Sequence, residues 1–231
     1  NNVGIKKTKT DFVLILNPDI VLESNAIDEL IIASKKINNF AILAPISSNT
    51  DYPNYKLNKN LIVGNKINSL FKVESVDGFA MLINKKMINT ILQDENIIRS
   101  NDYFDENFFM YLENDDLCKR IIEKNGDIFI VRTSKINHLG AKAVDEKYKN
   151  EVELSRNWHW IWSKFYFQKK HYGYLRAFLF GFPKFIFSIF RYIYYVILND
   201  ENKKKKYFNR ASGFLNAAAG RSSWYRPNTN F

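Results

Sequence analysis

Sulfur and histidine are scarce in this chain of 231 residues, which has one cysteine, three methionines and three histidines. A single thiol, Cys118, excludes an internal disulfide framework and a multi-thiolate metal site. No internal repeat and no signal-peptide pattern is visible, and the first residue is Asn1 rather than Met. We therefore expect a piece of a longer protein. The proportions are globular, with 46% apolar, 25% charged and 16% aromatic residues, which excludes a disordered or low-complexity polymer. The length leaves room for one large domain, or a domain plus an appendage, around a well-buried core.

Charge is present but unevenly placed. Of the formal +10, residues 1–150 contribute nothing, with 20 Lys/Arg against 20 Asp/Glu, whereas residues 151–231 hold 14 against 4. Aromatic residues divide the same way, 13 before residue 151 and 23 after it. The expected organisation is a neutral body over 1–149 and a basic, aromatic extension over 150–231. A pI near 9.4 with aromatics among basic residues also fits a nucleic-acid-binding module. The neutral body argues against that class, and no nucleic-acid partner is expected.

The body reads as α/β. Phe12–Leu16 is a continuous apolar run that fits a strand buried on both faces, ending at Asn17-Pro18-Asp19. Ser24 is placed to cap a helix through Ile37, with Ile27, Leu30, Ile31 and Ile37 on one face. Phe40–Ala44 is the next strand, and strand, helix and strand at this spacing predict a parallel β-α-β unit. Residues 46–70 form a long polar loop. Phe71–Leu82 predicts a strand, a turn at Asp77-Gly78 and a strand, followed by a helix over Lys85–Leu92. A second helix opens at Glu113 and closes at Asn125-Gly126, before a strand over Asp127–Val131.

Three places carry candidate chemistry. Asp19 lies just past the carboxyl end of a strand, the edge at which open α/β sheets bind ligands. A carboxylate there can hold Mg²⁺, which uses one or two protein carboxylates plus substrate phosphates; the same residues also make an ordinary polar turn. Glu113, Asp115 and Asp116 crowd three carboxylates at a helix start. They fit either a dipole-stabilised terminus helped by Lys119 and Arg120, or a general base whose pKa crowding raises. His138, in Ile136-Asn137-His138-Leu139-Gly140, is either a structural hydrogen-bonding residue or the imidazole of a mixed carboxylate and histidine metal site.

Taken in order, NNVGI, the strand ending NPD, VDGFAMLI, FDENFFMYLENDDLCKR and INHLGAK resemble the family 2 glycosyltransferases, especially bacterial rhamnosyltransferase-like members, over roughly residues 1–173. The resemblance implies an incomplete GT-A fold, a Rossmann-like mixed sheet with flanking helices, followed by a helical, basic and aromatic C-terminal region. It implies a metal-dependent, inverting transferase that moves a sugar from a nucleotide-sugar donor to a saccharide or lipid-linked acceptor, for bacterial cell-surface polysaccharide synthesis. Asn17 and Asp19 match the family's Asp-x-Asp motif, which holds Mg²⁺ or Mn²⁺ against the donor diphosphate, and His138 matches the histidine near metal and diphosphate. Glu113-Asn114-Asp115-Asp116-Leu117 matches the family's Glu-Asp-x-Asp-Leu pattern, with Asn114 at the usual base position. Glu113 is then the first choice of base, with Asp115 or Asp116 next. Asp77 and Gly78, with Asn114, match the acceptor pocket. The family's first, nucleotide-gripping strands would precede Asn1, so the sheet is expected to end in an exposed edge and the chain to be inactive alone. A membrane-attached relative that keeps the fold and has lost the chemistry is the alternative raised by Asn17 and Asn114.

In the extension, residues 150–172 have a helical pattern carrying Trp158, Trp160 and Trp162. Tyr174–Leu198 is long enough to span a bilayer, which takes about 20 residues, but Arg176, Lys184 and Arg191 interrupt it on one stripe and Pro183 predicts a kink or break. Central cations cost roughly 2.5 to 3.5 kcal/mol each on insertion, so an interfacial helix is expected, with Phe178, Phe182, Phe185, Phe187 and Tyr192–Tyr195 entering the acyl boundary. Lys203–Lys206 adds a polybasic run worth on the order of 1 kcal/mol per charge near anionic lipid. Residues 174–206 are thus expected to hold the protein on the inner face of the plasma membrane, as a cytoplasmic, peripheral protein.

Overall fold

The computed structural model describes residues 1–37, 39–49, 53–57, 69–92, 103–139 and 145–226. They form two compact units, residues 1–105 with 114–143, and residues 106–113 with 144–231. The observed division thus falls at 143/144 and lends one internal segment to the second unit.

The first unit is a mixed α/β layer structure. A short helix, α1 (Asn2–Lys7), is tied down by the Asn2 amide, which donates to the Phe104 carbonyl at 2.7 Å and accepts from its N–H at 2.9 Å. Then come β1 (Phe12–Leu16), β2 (Ile20–Leu22), α2 (Ala26–Lys36), β3 (Phe40–Ser47), β4 (Tyr55–Lys56), β5 (Leu70–Lys72), β6 (Ser75–Val76), β7 (Ala80–Asn84), α3 (Lys85–Leu92), α4 (Glu113–Glu123) and β8 (Asp127–His138). The main sheet runs β1–β7–β3–β8–β2, with β5 also on β8. β3 and β8 are parallel, and β7 is antiparallel to both β1 and β3, so the carboxyl ends of β1, β3 and β8 share one end of the sheet. Alternation along the strands sorts two cores. Ile15, Met81, Ile83, Ile128 and Ile130 face Ile88 of α3 and Leu117 and Ile121 of α4, while Leu82, Phe129 and Val131 face Leu30 and Ala33 of α2. Each fully buried side chain of this size stabilises by about 1.5–3 kcal/mol.

Several expectations are corrected here. β1 is not buried on both faces: it is an edge strand, and Phe12 and Leu16 are 40% and 38% exposed. β1 and β3 run the same way but are not neighbours, because β7 lies between them. The buried face of α2 is Ala26, Leu30, Ala33 and Ser34, and no side chain caps it; Ile27 and Ile31 are exposed, because the face set by Leu30 and Ala33 meets the sheet. Strands do flank a turn around Asp77-Gly78, as expected, but they belong to different sheets. β6 pairs with β4 in a separate two-stranded sheet, while β7 enters the main one. β8 runs on through a register shift between Pro45 and Ile46 of its partner, so His138 is its last residue rather than part of a following loop. Asn125, at φ 59°, closes α4 as expected, with Gly126 N–H donating to the Ile121 carbonyl at 2.9 Å.

The second unit is helical, built from α5 (Lys149–Tyr172), α6 (Tyr174–Ile197) and α7 (Glu201–Ala218). Trp158, Trp162, Phe165, Ala177, Phe214 and Ala217 form its core. α7 comes so close to α5 at Gly213 that a Cβ there would sit 2.5 Å from the Trp158 carbonyl oxygen. Pro183 neither breaks nor ends α6, which is one continuous helix. α6 is long and apolar enough to cross a membrane by length and composition, and is largely uncovered by the protein. Of the residues expected on its apolar stripe, Phe182, Phe187, Ile193 and Tyr194 are exposed, but Phe178 and Phe185 pack on Phe214 and Tyr195 stacks on Tyr207. Leu175, Leu179, Ile186 and Phe190 are exposed as well.

His159 of α5 is wholly buried, with Nε2 donating to the Tyr225 carbonyl at 2.7 Å and Nδ1 accepting from Ser223 Oγ at 3.2 Å. Burial lowers its pKa from 6.5; the Tyr225 carbonyl opposes the shift and Arg226 adds to it. A neutral imidazole in the folded state and a protonated one in the unfolded state make stability fall as pH drops below 6.5. All four tryptophans lie in this unit, so fluorescence-detected melting reads it alone. We expect the melting temperature to fall between pH 7.5 and pH 5, and His159→Gln to flatten that slope; an unchanged slope would remove His159 as its source.

Candidate functional site

In the first unit the site is assembled by strand pairing. The turn Asn17-Pro18-Asp19 sends the chain from β1 into β2, and β2 pairs antiparallel with the end of β8, placing Ile20 opposite His138. The ladder continues one step, because Leu139 N–H donates to the Asp19 carbonyl at 3.0 Å. Asp19 Oδ2 and His138 Nε2 thereby meet at 3.2 Å across 119 residues of sequence. The Phe79 ring stacks on the imidazole at 4.5 Å and fixes its plane. Asn17 N–H donates to the Phe79 carbonyl at 2.9 Å, which ties the turn to the start of β7.

A second set of residues stands close enough to this pair to interact electrostatically. Asp77 has a pKa raised from 3.8, first by crowding of its carboxylate away from water, then by Asp115, with Lys56 and His138 opposing. Asp115 is paired with Lys56 Nζ at 2.8 Å. Asn114 Nδ2 donates to the Val76 carbonyl at 2.8 Å, and a Cβ on Gly78 would lie 3.2 Å from the Asn114 Cβ. Asn114 is thus seated against the Asp77-Gly78 turn by a bond that an aspartate, which has no N–H, cannot make.

The three carboxylates of α4 have different surroundings. Asp116 is wholly buried, with Oδ2 accepting from Arg120 Nε at 2.9 Å, and Arg120 also donates to the Tyr103 carbonyl. Its charge serves the core. Asp115 faces Lys56. Glu113 opens the helix and groups with residues 106–113 of the second unit, where its charge raises the Tyr111 pKa, after burial has done so and with Arg156 opposing. Cys118, on the next turn, is buried and its thiol is pushed up to about 12, which makes it inert.

The sequence reading missed Asn54, Lys56 and Phe79. Asn54 is buried; its Oδ1 accepts from Ser47 N–H at 2.9 Å, its Nδ2 donates to the Pro45 carbonyl at 2.8 Å, and its own carbonyl accepts from Asp77 N–H at 2.9 Å. It joins the end of β3 to Asp77, yet in sequence it is one polar residue in a polar stretch. Phe79 lay within a quoted motif, but only the sheet shows that it carries the imidazole. Much of the 46–70 loop falls outside the described residues.

Arranged in this way, Asp19 and His138 offer an oxygen and a nitrogen ligand at the carboxyl end of the sheet, with Asp77 near. Among the described residues no group of three or more His, Cys, Asp or Glu forms a metal cluster. The pair still fits Mg²⁺ or Mn²⁺, since such ions draw most of their ligands from substrate phosphate and water, and imidazole is acceptable to Mn²⁺. No protein-family model matches the chain, and comparison with curated proteins finds no relative.

The different surroundings of Asp115 and Asp116 predict different costs of removing them. Asp116→Ala leaves the Arg120 charge buried and should cost about 3–5 kcal/mol. Asp115→Ala breaks a pair whose lysine is largely exposed and should cost under about 1 kcal/mol. Urea unfolding followed by circular dichroism measures both; equal losses would mean that Asp116 is not the structural carboxylate.

Proposed function

We propose that the first unit carries the donor side of a metal-dependent, inverting sugar transferase of the family 2 glycosyltransferase type, on an incomplete GT-A fold. The observation that carries the reading is the meeting of Asp19 and His138 at 3.2 Å, at the carboxyl end of a mixed sheet. Asp19 and His138 would hold Mg²⁺ or Mn²⁺, whose charge stabilises the leaving nucleoside diphosphate. Asn17, in the same turn, borders the diphosphate.

The acceptor hydroxyl has a high pKa and needs a carboxylate to take its proton as attack proceeds. Asp116 is engaged by Arg120, so the base falls to Glu113, with Asp115 after it. Asp77, Gly78 and Asn114 form a seat for the acceptor, and the raised pKa of Asp77 suits a carboxyl that hydrogen-bonds to sugar hydroxyls. Attack opposite the leaving group inverts the anomeric carbon. The acceptor is a saccharide or a lipid-linked saccharide, in bacterial cell-surface polysaccharide synthesis.

The test is sugar transfer by the full-length protein. Asp19→Ala and Glu113→Gln should each lower kcat by about 10²-fold or more, and EDTA should stop turnover until Mg²⁺ or Mn²⁺ is returned. Both variants within a few-fold of wild type, or turnover undiminished in EDTA, would refute the site. Wild-type protein that neither transfers nor hydrolyses a nucleotide sugar would instead favour the non-catalytic relative.

The second unit, in this reading, lies on the cytoplasmic face of the plasma membrane. The exposed apolar stripe of α6 supports it, as do the cations beside that stripe: Arg176 over Tyr172, Lys184 over Phe180, and Arg191 among Phe187, Tyr194, Tyr195 and Tyr207. In flotation with anionic liposomes at low salt the protein should rise with the lipid, and Phe190→Asp with Leu179→Asp should release it. Wild-type protein left in the soluble fraction would rule out the attachment.

A further inference from the structure

The second unit holds a pocket of about 380 Å³ lined by Tyr111, Glu153, Arg156, Asn157 and Trp160. Two walls are aromatic: Tyr111 meets Trp160 edge-on at 5.2 Å and 82°. Trp158 and Trp162 on the same helix are core residues, whereas Trp160 is 39% exposed and serves no packing of that kind. The polar lining is partly engaged. Glu153 is neutralised by Lys206 at 2.8 Å, and Asn157 Oδ1 accepts from Arg210 Nε at 2.7 Å. Arg156 is different: half-buried beside Tyr111, it donates to no acceptor among the described residues. Arg156 is thus the one cation lining the pocket that no described carboxylate neutralises, while Lys206 and Arg210 engage Glu153 and Asn157 at its rim.

The backbone adds a second observation. Tyr111 and Leu112 have φ of 70° and 68°, two successive side-chain-bearing residues in the left-handed region, directly before Glu113. Such strain concentrates at binding and catalytic sites, where packing holds it. Here it turns the Tyr111 ring onto Trp160 and starts α4 with Glu113 within electrostatic reach of Tyr111.

We infer that this pocket is a saccharide subsite selective for a sugar bearing an oxyanion, carboxylate or phosphate. The C–H faces of a pyranose carry slight positive charge and pack on aromatic faces, while a guanidinium fits a carboxylate or phosphate with two parallel hydrogen bonds. The inference deepens the transferase reading and rests on it, a saccharide being the class of substrate that such an enzyme handles.

The test is binding, not turnover. In ¹H–¹⁵N spectra of the full-length protein, the Trp160 indole signal, assigned with Trp160→Phe, is followed through titrations with glucose 1-phosphate, glucuronate, methyl glucoside and inorganic phosphate. Either anionic sugar should move it at millimolar concentration, at least about tenfold more tightly than methyl glucoside or phosphate alone. Whichever binds better identifies the oxyanion. Arg156→Gln should abolish the preference while the other three indole signals stay in place, which shows that the variant is folded. A Trp160 signal indifferent to both anionic sugars, or equally sensitive to methyl glucoside, overturns the subsite. Because Asp19→Ala should leave this titration intact, failure here is distinguishable from failure of the transferase reading.

Discussion

The pairing of a three-residue strand with the end of a twelve-residue one organises the first unit's candidate site. β2 has few backbone bonds of its own, but its register on β8 sets Ile20 against His138, and the preceding residue then faces the imidazole. A one-residue slip would turn the Asp19 side chain to the other face of the sheet. Phe79, just before β7, reinforces that register with its ring on the imidazole and its carbonyl on Asn17 N–H, so the pair depends on segments that are far apart in the chain.

Burial decides what each acidic residue can do. Asp116 points into the core, where an unpaired carboxylate would be intolerable, and Arg120 one turn later completes the pair. One position earlier Asp115 is itself only 15% exposed, but it meets a lysine that is mostly in water. Asn114 replaces a charge with a donor, and the Val76 carbonyl uses it. Adjacent residues on one turn of α4 therefore divide into structural and available groups by angle alone.

In the second unit the aromatic residues serve two environments. Trp158, Trp162, Phe165 and Phe214 close a small core around a glycine contact, and that core leaves the far side of α6 without protein cover. Arg176, Lys184 and Arg191 each lie over an aromatic ring rather than in the apolar stripe. A helix so divided is amphipathic in a way that neither its composition nor its length expresses.

The sequence by itself determined the elements whose signals are local. The apolar runs at Phe12–Leu16 and Phe40–Ala44, the helix over Lys85–Leu92, the acidic opening of α4 and its Asn125-Gly126 stop each depend on neighbours within a turn or a few residues. So does the split between a neutral body and a basic, aromatic extension. Only the tertiary structure decided that β7 lies between β1 and β3, that Asn54 bridges β3 to Asp77, and that Trp160 and Arg156 share a pocket. Strand order and side-chain partnership come from contacts between residues tens to more than a hundred positions apart, and local propensity carries no information about which distant surface a given face will meet.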